Sequence, residues 1–233
     1  MDLECMESSL EKFYSVISIN YDKVYNILTF GLGRVWRRKM LKKLGASRSA
    51  TVLDLATGTG ETAIAIAKHY KNYKVIGLDF NAKMLKIAKE KSSGLKNVRY
   101  IEGNAEKYKG FSTKFDYVTS TFSLGEFEDL RSVIGNIFDM LKPGGKVLLM
   151  DLNAHRSTFI RRLINTYYYF RIMPISQSEI KNEIERYVHS SYFEVNMENV
   201  VALLKQAGFS NIEKESLGFG LGFMIAAEKP LMR

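Results

Sequence analysis

The chain has 233 residues, 46% of them hydrophobic, and carries 34 Lys and Arg against 25 Asp and Glu for a net charge of +9. It is long enough to bury a substantial core, its composition is ordinary for a globular protein, and no apolar run is long enough to span a bilayer. The single cysteine, Cys5, excludes an internal disulfide framework and a cysteine-rich metal site, fits a reducing cytosol, and leaves little room for thiol chemistry.

The N-terminal "MDLECMESSLEK" begins acidic and lacks the basic-then-apolar shape of a secretory signal, so a cytoplasmic location is expected. Residues 9–44 read as helical. Within "RVWRRKMLKKLG", Trp36, Met40 and Leu44 stand four apart on one face, and Gly45 is a natural stop. This segment (34–43) and "HRSTFIRRL" (155–163) carry much of the positive charge. They are either solvated helix faces or a surface that meets something anionic, nucleic acid or lipid headgroups.

From residue 51 the pattern alternates. The β-branched runs "ATVLDLA", "YKVIGLDF", "NVRYIEG" and "FDYVTSTF" are each followed by a helical stretch or loop. "EDLRSVIGNIFDMLK" predicts a helix ended by the turn "PGG", and "KVLLMDL" the fifth strand. That alternation predicts a parallel, doubly wound sheet. Residues 153–193 are helical, aromatic and basic. "NMENVVALLKQAGF" then predicts an amphipathic helix, and "NIEKESLGFGLGFMIAAEK" an antiparallel pair of strands around glycines. The expected fold is α/β: a Rossmann-like, doubly wound, seven-stranded sheet with an antiparallel C-terminal hairpin, a helical N-terminal cap and a helical lid. One domain is expected over 1–233, with the cap at 1–48, the ligand-binding core at 49–152 and 194–233, and the lid at 153–193.

The motif "VLDLATGTGETA" (52–63) carries the chemistry. Gly58, Gly60 and Ala63 fit the dinucleotide fingerprint G-x-G-x-x-G/A, and Asp79 follows about 20 residues later. Glycine is needed in any such turn because a ligand approaches the backbone closely, so the glycines alone do not choose the ligand. Asp54 does more. A carboxylate in the strand four residues before Gly58 would repel a pyrophosphate at the helix N-terminus and attract an ammonium group. S-adenosylmethionine carries one; Asp79 suits the ribose diol of either cofactor. Asn104 and the backbone of Ala105, in "EGNAEKY", are placed to read an adenine edge. A dinucleotide remains the second reading, with Asp54 then only bracing its turn. No phosphate-binding lysine follows the glycines, which removes a nucleoside triphosphate loop.

With the strand-1 acid, "GLD", "GNAE" and "LKPGGKVLLMDL" in series, the chain resembles class I S-adenosylmethionine-dependent methyltransferases. More narrowly, it is similar to the ubiquinone/menaquinone biosynthesis C-methyltransferase family along nearly its whole length. The most specific match is "NYDKVYNILTFGLGRVWRRKML" (20–41), set against that family's tyrosine–aspartate pair and "SFG…WR" signature. The resemblance implies a cofactor site of Thr59, Asp79, Asn104, Ala105 and Thr121 around the turn of Gly58 and Gly60. Tyr21 would approach the cofactor from the cap. It also implies a small lipophilic acceptor, a prenylated quinol methylated on a ring carbon. One departure stands out: where the family reads Gly-(Ile/Leu/Val)-Arg-Asn, this chain reads "SLGE" (123–126), with Gly125 and Glu126 at the arginine and asparagine positions.

A quinol must shed a phenolic proton before its ring carbon attacks, so a base is required. The candidates are Glu126, Tyr21 and His155, with Asp151 and His189 further options. Glu126 has a second reading, since "EFEDL" opens a helix whose N-terminus favours an acid. Segment 156–174, with Phe159, Leu163, Tyr167 and Phe170 on one stripe, is either a packed helix, a lid, or a helix lying on a membrane surface. The "SLGE" departure keeps open an N-, O- or lipid methyltransferase with a non-quinone acceptor. A nucleic-acid or protein methyltransferase and a non-catalytic binding protein are further alternatives. The expected partners are a small lipophilic substrate and a membrane surface, with no nucleic acid and no metal; a homodimer is left open.

Overall fold

The computed structural model describes residues 14–15, 18–45, 47–108, 111–153, 166, 170 and 195–231. Seven strands form one sheet in the order β3-β2-β1-β4-β5-β7-β6. They are β1 (Thr51–Leu55), β2 (Lys74–Asp79), β3 (Val98–Glu102), β4 (Phe115–Thr121), β5 (Leu141–Leu152), β6 (Ser210–Leu217) and β7 (Gly222–Glu228). The first five are parallel, and β7 inserts antiparallel between β5 and β6. The sheet class, the strand count and the terminal hairpin agree with the sequence pattern.

The period-two alternation of each strand sorts its side chains to two cores. Leu53, Leu55, Val118 and Leu149 join one apolar cluster, under helices α5 (Leu130–Met140) and α6 (Met197–Gln206). Val52, Val75, Leu148 and Met150 join the other, under α2 (Gly33–Lys43) and α3 (Glu61–His69). With both faces covered, the strands read as nearly continuous apolar runs, as parallel strands do. Helix α4 (Ala82–Lys91) starts where Asn81 accepts the Met84 N–H at 3.0 Å, and α6 where Asn196 accepts that of Asn199 at 2.9 Å.

The stripe read from the sequence is the one that seats the cap: Trp36, Met40 and Leu44 are at most 2% exposed. The cap is nevertheless not one helix. Helix α1 (Tyr21–Leu28) ends at Thr29, and Phe30 and Gly31 take positive φ before α2 begins. The Thr29 hydroxyl bonds back to the Tyr25 carbonyl at 3.0 Å and accepts the Gly33 N–H at 3.2 Å, closing one helix and opening the next. The glycines of the β6–β7 connection answer to the same tryptophan. A Cβ on Gly218 would lie 2.7 Å from the Trp36 ring, and one on Gly222 2.9 Å from it. Pro143-Gly144-Gly145 interrupts the pairing of β5 with β4, with Phe115 opposite Leu141 and Tyr117 opposite Lys146. Of the expected lid, only Asn153, Thr166 and Phe170 belong to the described residues. Among the described residues no helix is long and apolar enough to cross a membrane.

Candidate functional site

Strand order reverses between β1 and β4, and the crevice at the carboxyl ends of such strands is where open α/β sheets bind ligands. The glycine turn lies there. Ala56, Gly58 and Gly60 all have positive φ, and the Gly60 N–H bonds to the Thr57 carbonyl at 2.9 Å. Two buried carboxylates fix this turn. Asp79, at the end of β2, accepts the Gly58 N–H at 2.7 Å on one oxygen and the Asn81 N–H at 2.9 Å on the other. Asp54, within β1, accepts the hydroxyls of Thr57 and Thr119, each at 2.6 Å. Burial pushes both acids up to about 6 against these hydrogen bonds.

Two cavities meet over the turn, sharing Ala56. The larger, about 410 Å³, lies between the turn and the cap and is lined by Tyr21, Arg37, Gly58, Thr59, Thr121 and Phe122, among others. The smaller, about 50 Å³, is lined by Asp79, Phe80, Asn104, Ala105 and Glu126, among others. Of the residues expected from sequence, Tyr21, Gly58, Thr59 and Thr121 thus face one cavity, and Asp79, Asn104, Ala105 and Glu126 the other. Asp54 and Gly60 line neither; they act through the turn they hold or pack. His155 and His189 lie outside the described residues.

Tyr21 sits deep in the site, stacked on Tyr25 at 5.7 Å, and Tyr25 in turn meets Phe122 at 4.3 Å. Burial raises the Tyr21 phenol well above its ordinary value. Glu126, Asp79 and Asp22 push it further up, and Arg37 pulls it down. That shift keeps Tyr21 as the neutral phenol, which argues against its use as a base. Glu126 does not open α5. It closes a 3-10 turn, Leu124–Glu126, and accepts a hydrogen bond from the Tyr14 hydroxyl, while Asp129 caps α5 through the Ser132 N–H at 3.0 Å. Asp151 supports that 3-10 turn from the end of β5, accepting the Leu124 N–H at 2.8 Å and the Leu152 N–H at 2.7 Å, and burial pushes it up to about 7.

A charged network missed by the sequence reading ties the cap to the turn. Lys91 of α4 reaches Asp22 at 2.8 Å, Glu61 at 2.5 Å and the Thr59 hydroxyl at 3.3 Å. Thr59 donates to Asp22 at 2.6 Å, and Arg37 donates to Glu61 at 3.3 Å. Asp22 was visible in "NYDKVY", but no spacing announces a lysine 69 positions away.

Asp79, Asn104 and Ala105, together in the smaller cavity, are groups of the kind that a ribose diol and an adenine edge call for. At Gly58 an added Cβ would make ordinary contacts, 3.5 Å from Met84 and 3.9 Å from Tyr21, so close backbone approach there does not depend on relieving a clash within the protein. Among the described residues no group of three or more His, Cys, Asp or Glu is placed to hold a metal ion.

Comparison with known proteins bears on the same site. The model of the ubiE/COQ5 methyltransferase family matches residues 3–229. A demethylmenaquinone methyltransferase of Staphylococcus carnosus is 30% identical over 222 residues, spanning 94% of this chain and 92% of the relative. Among solved structures, phosphoethanolamine N-methyltransferase 2 of Haemonchus contortus, with phosphomonomethylethanolamine and S-adenosylhomocysteine, superposes with a TM-score of 0.65 at 20% identity, covering 94% of this chain and 60% of that one. An S-adenosylmethionine-dependent methyltransferase of Aquifex aeolicus gives 0.60 at 20% identity, covering 82% and 88%. At these identities the superpositions speak to fold.

Proposed function

The chain belongs to the ubiE/COQ5 methyltransferase family, and on that premise we propose that this S-adenosylmethionine-dependent enzyme methylates a ring carbon of a prenylated quinol. The observation that carries the acceptor class is the aromatic wall of the larger cavity. Tyr21, Tyr25 and Phe122 stand in succession beside the glycine turn, with Trp36 behind them 6.3 Å from Phe122. Such a wall suits a flat, largely apolar ring, held by offset or edge contacts. The relatives' activity on demethylmenaquinone agrees with that chemistry.

When bound, S-adenosylmethionine supplies a methyl group already activated by its sulfonium charge, so the protein's work is positioning, desolvation and removal of one proton. In this reading Asp79 holds the ribose, and Asn104 and Ala105 the adenine. Gly58, Thr59 and Thr121 border the methionine end, with Asp54 bracing the turn through Thr57. Tyr21, neutral and half-buried, closes the site from the cap and offers its hydroxyl as a hydrogen-bonding group. Glu126 lines the smaller cavity, which shares Ala56 with the larger, and is our candidate to take the acceptor's proton from that side; both oxygens of Asp151 already hold backbone N–H groups.

A membrane-resident acceptor asks for a surface that meets lipid. Val35 and Phe219 are exposed, and Gly218, beside Phe219, packs on Leu32 and Trp36, which brings the two connections together. Arg34 and Arg38 flank Val35 on α2. This surface is our candidate for peripheral contact with anionic lipid.

The test uses methyl-labelled S-adenosylmethionine with an extract lacking methylated quinones, fractionated into lipid, aqueous, protein and nucleic-acid pools. Label in a lipid with quinone absorbance supports the proposal. Label confined to another pool refutes the quinol acceptor and makes Gly125 and Glu126 the marks of a changed substrate. Flotation with anionic vesicles, lost in Phe219→Ser, tests the membrane surface.

A further inference from the structure

Arg37 is an unusual occupant of the larger cavity. Its side chain is 12% exposed, yet among the described residues its hydrogen-bonding partner is Glu61 alone, through one nitrogen at 3.3 Å. A guanidinium carries five donors in a planar fork, and burying one so sparsely bonded is costly unless a further acceptor is brought to it. The neighbouring cation is different: Lys91 already serves Asp22, Glu61 and Thr59. The first turn of α3 also faces this cavity, with Glu61 and Thr62 in its lining, and a helix N-terminus favours negative charge. The largely buried guanidinium and the helix end both line this cavity, with Gly58 and Thr59.

We propose that Arg37 receives the carboxylate of the amino-acid end of S-adenosylmethionine, so that the cap contributes directly to holding the methyl donor. The inference rests on the donor site described above. It also orients the donor. Asp79, suited to a diol, lines the smaller cavity, and Arg37 lines the larger, the two cavities sharing Ala56. A donor with its diol in the smaller cavity carries its carboxylate toward the larger one. Glu61 holds the guanidinium in place from the side and leaves the rest of its fork for a bidentate carboxylate.

The experiment is calorimetric binding of two ligands, S-adenosylhomocysteine and 5′-methylthioadenosine, which share the thioether nucleoside but differ in the amino-acid end. Arg37→Ala is expected to weaken S-adenosylhomocysteine about 10- to 100-fold, the scale of a lost charge-assisted hydrogen bond. Binding of 5′-methylthioadenosine is expected to hold within about twofold, which also shows that the variant is folded. Arg37→Lys is expected to recover part of the loss, keeping the charge without the fork. Equal weakening of both ligands makes Arg37 a structural residue and overturns the proposal. Unchanged binding of both assigns it to the acceptor and overturns it too. A wild-type protein that binds neither ligand refutes the donor site itself, a failure distinct from these.

Discussion

Gly58 and Gly60 belong to one motif, yet the structure gives them separable tasks, and paired alanine substitutions read them apart. At Gly60 φ is +80°, and an added Cβ would lie 2.8 Å from the Tyr100 hydroxyl and 2.9 Å from the Ala88 methyl. The tyrosine end can swing away, but Ala88 is fixed to the backbone of α4, so the helix itself must move. A left-handed conformation costs a residue with a Cβ about 1–2 kcal/mol, and overpacking of this kind costs about 1–3 kcal/mol. The sum, roughly 2–5 kcal/mol, corresponds to a fall in Tm of about 4–20 °C for a domain of this size. At Gly58 φ is +54° and the nearest atom to an added Cβ is 3.5 Å away, an ordinary contact. Gly58→Ala should therefore lower Tm by only about 2–8 °C, the backbone part alone. Its methyl, however, projects into the lining of the larger cavity, where close backbone approach is what glycine provides.

Differential scanning fluorimetry together with titration of S-adenosylhomocysteine below each variant's Tm separates the two. Gly60→Ala should be the less stable protein and Gly58→Ala the weaker binder, by at least about tenfold, or 1.4 kcal/mol. A Gly60→Ala protein that melts with the wild type would refute the packing argument. A Gly58→Ala protein that binds normally would mean that the ligand does not run over the turn.

Glu126→Gln should lower kcat about 100-fold while leaving the S-adenosylhomocysteine Kd unchanged, as expected for a lost base; weakened binding with intact turnover would reassign it to the donor. Asp54, Asp79 and Asp151 are raised by burial to about 6, 6 and 7, above the ordinary carboxylate value. The folded state therefore holds their protons more tightly than the unfolded chain. Their contribution to stability is full below about pH 4 and is lost as pH rises through 6 to 7. The ligand-free Tm should fall between pH 5 and 8, and a Tm that climbs across that window would contradict the assignment. Trp36→Ala should cost about 3–5 kcal/mol by loosening the cap, read in hydrogen exchange as loss of amide protection in α1 and α2 before the sheet.

What the sequence made legible was local. Strand runs, the helix start at Asn196, the buried stripe of Trp36, Met40 and Leu44, and the placement of Asp79 and Asn104 at strand ends all follow from periodicity and from side chains bonding their own backbone. The break between α1 and α2 was less so. Its agent is a threonine hydroxyl bonding back along the helix and a phenylalanine at positive φ, neither of which is a usual breaker, so only Gly31 hinted at it. The least legible features were tertiary. Lys91 joins Asp22 and Glu61 from α4, and Gly218 is glycine because of a tryptophan 182 positions earlier in the chain (218 − 36).

The neutrality of Tyr21 belongs to the same class, and it shows why the site itself resisted a sequence reading. The glycine turn is written in twelve consecutive residues, from Val52 to Ala63. What makes its open crevice a closed cavity is the cap, which brings Tyr21, Tyr25 and Arg37 over it from a segment that precedes the first strand. Desolvation under that cap raises the Tyr21 phenol, and Glu126 and Asp79, from two other elements, and its helix neighbour Asp22 raise it further. Composition and spacing see each of these side chains as an ordinary polar residue on its own segment. Their chemistry exists only once the stripe of Trp36, Met40 and Leu44 has seated the cap, so apolar packing on the far side of α2 is a condition of the site's electrostatics. Substitutions in that stripe should consequently disturb donor binding before they unfold the sheet.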